Sequence, residues 1–350
     1  MDPGGPGARR RPAAGELRPL PVCGFRRERA RCRVLTSPAP PRPVAPSDDL
    51  ARCAEVLGAL LPYRRTLDTG HGDTPDCFPA QLGQLAVPVT AGEPIVFTLP
   101  GFPCKSPNPA KVLGHLPDEG ERLALRFLDA LCARIAAHHP PGARVVICSD
   151  GHVFSDLIQV PDRDIDAYAD ALRALIHDEG LTRLDVFDLR DVYGQRLSHD
   201  AKRSLVHERY APGLDTLRSL TRSDEPTRRL YQGITRFLFE DSVAFAGTRS
   251  ALQRSCRRRA YGVMQRSRAW GELIAAHHPG AFRLSIHPQP RGSAKFGIRL
   301  LETPDAWLTP WHSCVLEHAD GRRELLHRAD AERLGRLVYR QGRPSHFMAG

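Results

Sequence analysis

Ile95-Val96-Phe97-Thr98-Leu99, and then Phe102-Pro103-Cys104-Lys105-Ser106-Pro107-Asn108-Pro109-Ala110-Lys111-Val112-Leu113-Gly114, decide how this chain is read. The first run is short, apolar and β-branched, which reads as a buried strand. Proline fixes φ and removes a donor, and it pushes the residue before it toward extended geometry. The second run is therefore a stiff loop carrying two lysines, a serine and an asparagine. Behind it, Pro117-Asp118-Glu119-Gly120-Glu121 opens a long helical pattern. In open α/β sheets ligands bind beyond the carboxyl ends of strands, where this loop lies. The structural alternative is a Pro-rich surface connection with solvated lysines.

Working outward, strand and helix signals alternate. A helix is expected from Leu50 to Leu61 behind Asp48-Asp49, with a turn-rich stretch over 68–80. The helix after the lysine loop spans about Glu119–His138, with Leu123, Phe127, Leu128, Leu131 and Ile135 at helical spacing. Pro140-Pro141-Gly142 stops it. Arg144-Val145-Val146-Ile147-Cys148 reads as a strand buried on both faces and ends in Ser149-Asp150-Gly151-His152-Val153-Phe154-Ser155-Asp156. Asp164–His177 is helical, and Leu184–Leu189 is a further strand. This alternation predicts an α/β fold with a mostly parallel sheet. Helical patterns then run over about 201–211, 214–222, 227–240 and 250–277, as an insertion at about 200–280. Strands return at Phe282–His287, Lys295–Leu301 and Ser313–Glu317, and a final helix is expected over Ala329–Tyr339.

Hydrophobic content of 41% and charged content of 26% are those of a soluble globular chain. No apolar run reaches the roughly 20 residues a bilayer span needs. The N-terminus lacks an apolar signal region. Nine scattered cysteines, an odd number without a C-x-x-C pair, favour reduced thiols and a cytoplasmic location. Residues 1–47 hold ten arginines against Asp2, Glu16 and Glu28, so +7 of the net +10 lies in a Pro-rich stretch expected to be disordered. The remaining 48–340 read as a single α/β domain with the helical insertion. The basic excess is mostly a tail and does not imply a nucleic-acid groove.

P-loop, G-x-G-x-x-G after a strand, H-E-x-x-H and G-x-S-x-G signatures are missing. Four polar clusters remain. Lys105, Ser106, Asn108 and Lys111 suit a phosphate or carboxylate. Ser149, Asp150, Ser155 and Asp156, at a strand end, suit acid–base work, with a helix cap as the structural alternative. His207, Glu208, Arg209, Tyr210, Arg228, Arg229 and Tyr231 read best as a solvated helix face. Arg283, Ser285 and His287 alternate along one strand and share a face; Lys295 and Trp311-His312 follow.

Phe102 to Pro109, Val112-Leu113-Gly114-His115-Leu116-Pro117-Asp118, Ser149 to Leu157, Arg283 to Pro288, Lys295 to Ile298 and Trp307 to His312 resemble, in order, motifs of the isonitrile (isocyanide) synthase family. That family includes pyoverdine/paerucumarin-cluster enzymes and fungal spore-wall dityrosine relatives. The resemblance covers about residues 50–320. Cys104 stands where many members have Ala, and Ser313 where Gly is common. It implies a Rossmann-like core and a reaction without metal or redox cofactor. The α-amine of an aromatic amino acid, Tyr or Trp, joins the C2 carbonyl of ribulose 5-phosphate, and that carbon is left as the isonitrile.

On this reading Lys105, Lys111 and Arg283 hold phosphate and carboxylate, with Ser285 and Lys295 also binding substrate. Asp150 or Asp156 takes the ammonium proton, and His287 or His312 shuttles protons. Ser106, Asn108 and Ser155 orient hydroxyls. The expected pathway partner is a downstream Fe(II)/2-oxoglutarate oxygenase, with no nucleic-acid or membrane partner. Alternatives are an N-formyl amino acid-forming enzyme of the dityrosine type, a non-catalytic sugar-phosphate binder, and a nucleic-acid binder.

Overall fold

The computed structural model describes residues 47–67, 72–303 and 307–350. The expected tail lies outside them, save Ser47. Helices α1 (Ser47–Leu60) and α2 (Pro79–Ala91) lead into β1 (Ile95–Gly101). The order then runs α3 (Glu119–Ile135), β2 (Ala143–Ser149), α4 (Gly151–Ile158), α5 (Asp162–Asp178), β3 (Leu184–Phe187) and α6 (Leu189–Tyr193). Four helices follow: α7 (His199–Tyr210), α8 (Leu214–Ser223), α9 (Glu225–Asp241) and α10 (Arg249–His277). Strands β4 (Phe282–Ser285) and β5 (Phe296–Gly297) complete a five-stranded sheet of order β3-β2-β1-β4-β5, with every neighbouring pair parallel. The expected mostly parallel α/β sheet with a helical run before its fourth strand is therefore present.

The sheet is covered on both faces because its strands are apolar on both. Phe97, Leu99, Val145 and Ile147 pack with α1, α3 and α5, whereas Val146 and Cys148 pack with Trp270, Leu273 and Ile274 of α10. Helix α3 starts where Asp118 accepts from Gly120 N (2.9 Å) and Glu121 reaches back to Asp118 N (3.0 Å), a reciprocal cap that satisfies two orphan donors.

Two sequence expectations need correction. Pro79 and Ala80, at the end of the turn-rich stretch, instead open α2, which continues to Ala91. The expected final helix over Ala329–Tyr339 stops at Leu334 as α11 (Arg328–Leu334) and turns into β8 (Gly335–Arg340). With β6 (Cys314–Glu317), β7 (Arg323–Leu326) and β9 (Arg343–Ala349) it builds a second sheet of order β7-β6-β9-β8. The reason is the turn between β8 and β9. Gln341 (φ 50°) and Gly342 (φ 73°) are both left-handed, as a two-residue type I′ hairpin requires. Strands β4 and β5 are also shorter than their apolar runs, since Ser285 Oγ accepts from His287 N (3.1 Å) and Ile286–Ser293 form a loop.

Strand order reverses across β1: β1 neighbours β2 on one side and β4 on the other. In open α/β sheets such a switch point, at the carboxyl ends of the strands, is where ligands bind. At the end of β1, buried Phe102 takes φ 52°. A left-handed non-glycine residue is strained and clusters at functional sites. Its carbonyl accepts Ser149 Oγ at 2.9 Å, tying the end of β1 to the end of β2. Gly151 tightens the same tie: a Cβ there would lie 2.0 Å from Pro103 O and 2.7 Å from Ile165 Cγ2. Gly151→Ala is expected to destabilise the fold by about 1–3 kcal/mol through overpacking, read as a lower urea midpoint; an unchanged midpoint would show that the two turns are not held together.

Candidate functional site

The lysine loop is fixed by its own hydrogen bonds. Asn108 N donates to Ser106 Oγ (3.1 Å), and Ala110 N donates to Asn108 Oδ1 (3.0 Å). These local side-chain bonds hold a turn that proline alone leaves open. Ser106 N donates to Trp311 O (2.9 Å), so the loop is stapled to the short 3-10 turn Pro310–His312.

The two lysines diverge. Lys111 Nζ donates to Asp241 Oδ1 (2.7 Å) and Glu240 Oε2 (3.2 Å) at the end of α9. Ser106 Oγ donates to the other oxygen of Asp241 (3.0 Å), and Asn108 Nδ2 donates to Glu240 O (3.0 Å). Lys105 turns inward and is buried. Its ammonium donates to Asp118 Oδ2 (2.8 Å) and Pro310 O (2.9 Å), and Glu121 Oε2 lies 2.8 Å away. Tyr168 adds a hydroxyl donated to Glu121 (3.2 Å). These partners occupy the Lys105 ammonium, which makes it the hub of a buried ion network beneath the loop rather than a free anion anchor.

His312 stands above Asp241, its Nε2 3.8 Å from Oδ2, with Phe237 edge-on at 5.3 Å. Thr309 Oγ1 is 3.2 Å from its Nδ1. Burial, reinforced by Lys111 and Lys105 and opposed by Asp241, pushes the imidazole down to about 4, so it stays neutral and can both accept and donate a proton.

Asp150 occupies the N-cap position of α4 yet makes no capping bond. It is half-buried and forms no ion pair among the described residues. Burial raises its carboxyl to about 7. The Cys104 thiol is raised by burial and then by the charges of Asp150 and Asp241. The capping alternative for Asp150 thus fails, and the carboxylate is left for other work.

Other expected site residues lie elsewhere. Asp156 pairs with both Arg266 guanidinium nitrogens, and buried Ser155 accepts from Arg203 (2.6 Å), which also binds Asp162. These contacts join α4 to α7 and α10 and leave neither residue free. Arg283 lies on β4 level with Thr98, beside Gly271 of α10. Lys295 is exposed, yet desolvation around its ammonium and then the charge of Arg283 lower its pKa, opposed by Glu272. Ser285 and exposed His287 border this second cationic group. The fourth sequence cluster is therefore divided: His312 joins the lysine loop, and Arg283, Ser285, His287 and Lys295 line the β4–β5 side.

Sequence reading missed Asp241 and Glu240. The available signal was two acids in the last turn of a helix without a basic residue there, where the helix dipole disfavours negative charge. Asp241→Ala removes two hydrogen bonds, one to an ammonium worth about 1.5–3 kcal/mol. A urea midpoint lower by that amount at unchanged slope is expected; a midpoint equal to wild type would show that Asp241 does not hold the loop.

With this geometry in place, residues 86–338 match the family model for pyoverdine/dityrosine biosynthesis proteins. The chain belongs to that family. It is 46% identical over 306 residues to the L-tyrosine isonitrile synthase of Pseudomonas aeruginosa, covering 84% of this chain and 93% of that protein. It is 40% identical over 301 residues to the L-tryptophan isonitrile synthase AmbI2 of Fischerella ambigua, covering 84% and 90%. The crystal structure of the PvcA protein from Pseudomonas aeruginosa superposes with TM-score 0.81 at 46% identity, covering 85% of this chain and all of that one. Relatives within this family thus include enzymes that act on aromatic amino acids. No helix among the described residues of this family member is long and apolar enough to cross a membrane.

Proposed function

We propose that this protein is an isonitrile synthase that converts the α-amine of an aromatic L-amino acid, tyrosine or tryptophan, into an isonitrile, with ribulose 5-phosphate as the carbon donor. One observation carries the reading: Asp150, a half-buried carboxylate that among the described residues has no ion-pair partner and makes no capping bond, stands at the carboxyl end of β2. An ammonium that must lose a proton before it attacks a carbonyl needs such a base within reach. Neutral His312, held by Asp241 and Thr309, then passes protons as the carbinolamine loses water. Arg283 and Lys295 offer charge-assisted contacts to phosphate or carboxylate. Lys111, already neutralised by two acids, positions the loop, and Ser106 and Asn108 shape it. No metal or redox cofactor is invoked for this sequence of steps. The isonitrile would pass to an oxygenase of the Fe(II)/2-oxoglutarate class.

The relatives named above support the amino-acid half of this reading. The test is incubation of the full chain with tyrosine or tryptophan and ribulose 5-phosphate, followed by product mass. The isonitrile mass is expected with one of the two. An N-formyl mass would assign the dityrosine-type reaction instead, and binding of the sugar phosphate without turnover with any aromatic amino acid would remove the catalytic claim.

A further inference from the structure

Three side chains outside this site meet where α4, α5 and α7 cross: His152, Asp166 and His199. None has a role in the chemistry above. His152 is 2% exposed, whereas Asp166 and His199 reach solvent. The two imidazoles stack, with centroids 3.9 Å apart and planes within 3°. The carboxylate sits at the Nε2 edge of both rings, Oδ1 3.0 Å from His152 Nε2 and Oδ2 3.2 Å from His199 Nε2. One donor atom from each residue lies within 4.8 Å of the others.

The His152 contact lacks the alignment of a hydrogen bond, and Nε2 is left buried without a hydrogen-bond partner; His199 Nδ1 is likewise unpartnered. Buried ring nitrogens without partners are uncommon and call for an explanation. Two imidazole nitrogens and one carboxylate oxygen, with an open solvent side, form a donor set suited to a borderline divalent cation that keeps one or more waters. The neighbouring charges are mostly answered by one another, although one cation, Arg190, stands near the carboxylate. Asp162 and Asp188 are answered by Arg203 and Arg190, and Asp166 has only a distant contact with Arg190, at 3.8 Å.

We propose that His152, Asp166 and His199 bind a divalent transition metal such as zinc or cobalt, which pins α7, the first helix of the insertion, to α4 and α5. The parallel rings point their Nε2 atoms side by side, so metal entry requires the more exposed His199 ring to turn until both lone pairs converge. That turn gives up one hydrogen bond, to Asp166, which the metal contact replaces. His199 Nδ1 has no acceptor to orient it, and a missing outer partner weakens metal affinity by about 10–100-fold relative to a fully supported site. The bound metal is therefore exchangeable.

The full chain, stripped with chelator, is titrated with Co²⁺ and then Zn²⁺. One equivalent of Co²⁺ per chain is expected to give visible d–d absorption that Zn²⁺ displaces, with a Zn²⁺-dependent rise in thermal midpoint. His199→Ala and Asp166→Asn, both at solvent-reaching positions, are each expected to weaken Co²⁺ binding by at least about 10-fold. If one variant fails to fold by circular dichroism, the other decides. No stoichiometric Co²⁺ absorption in the wild type, or absorption unchanged in a folded variant, overturns the site.

Discussion

Asp150→Asn is expected to lower kcat for isonitrile formation by about 10²–10⁴-fold, the range over which a positioned general base acts, while leaving the chain folded. Among the described residues the carboxylate makes no ion pair and no capping bond, and the backbone hydrogen bond that its own residue offers can be accepted by an asparagine Oδ1 as well. Asparagine serves as well as aspartate at a helix N-cap. Because burial already disfavours the charged form, the neutral amide should hold or slightly raise the thermal midpoint. Activity loss combined with retained stability separates a catalytic carboxylate from a structural one. Turnover within threefold of wild type would remove Asp150 from the chemistry and with it the main support for the proposed mechanism. The measurement is product formation by the purified chain at saturating substrates, compared with its thermal midpoint.

Lys105→Met is expected to do the reverse. Lys105, Asp118 and Glu121 have side chains that are 0%, 3% and 0% exposed. Removing the ammonium leaves two acids buried without their cation, which costs about 3–5 kcal/mol. Burial pushes Asp118 up to about 7 even with Lys105 present, the neighbouring Glu121 adding to that and Lys105 opposing it. Without the lysine Asp118 is driven further toward the neutral form. An acid whose folded pKa exceeds its unfolded value binds more protons in the folded state, so stability falls as pH rises. The deficit of the variant is therefore smallest in acid. It opens as pH rises past about 7, where Asp118 of the wild type ionises while that of the variant stays protonated. Urea midpoints on both sides of that pH check both sign and size. A variant as stable as wild type at neutral pH but inactive would return Lys105 to the substrate.

The contrast between these residues shows what could be read from the chain and what could not. The β1 run, the stiff loop after it and the β-branched β2 run carried the central sheet, because burial on both faces leaves a continuous apolar signature. Asp150 was visible through its place at a strand end. The direction a lysine takes was not: Lys105 and Lys111 share a loop, and only the packing of α3 and α9 sends one inward and ties the other to Asp241. Asp241 itself sits 130 residues after Lys111 on an amphipathic helix, where nothing local marks it except an acid at the wrong end of the dipole. The C-terminal sheet is hidden in the sequence because Leu334, Leu337 and Val338 fit helical spacing as well as a strand, and only the Gln341-Gly342 turn beyond them decides for the strand.

The contact of Gly151 with Pro103 O has a consequence for how this site can diverge. It sets Asp150 against the loop through main chain, without relying on any side chain of the loop. Ser106, Asn108 and the residues around His312 can therefore be exchanged over evolution while Asp150 keeps its station. On the proposed mechanism, such a division would let one ancestral frame acquire new amino-acid preferences by altering the loop side chains, with the proton-removing step inherited intact.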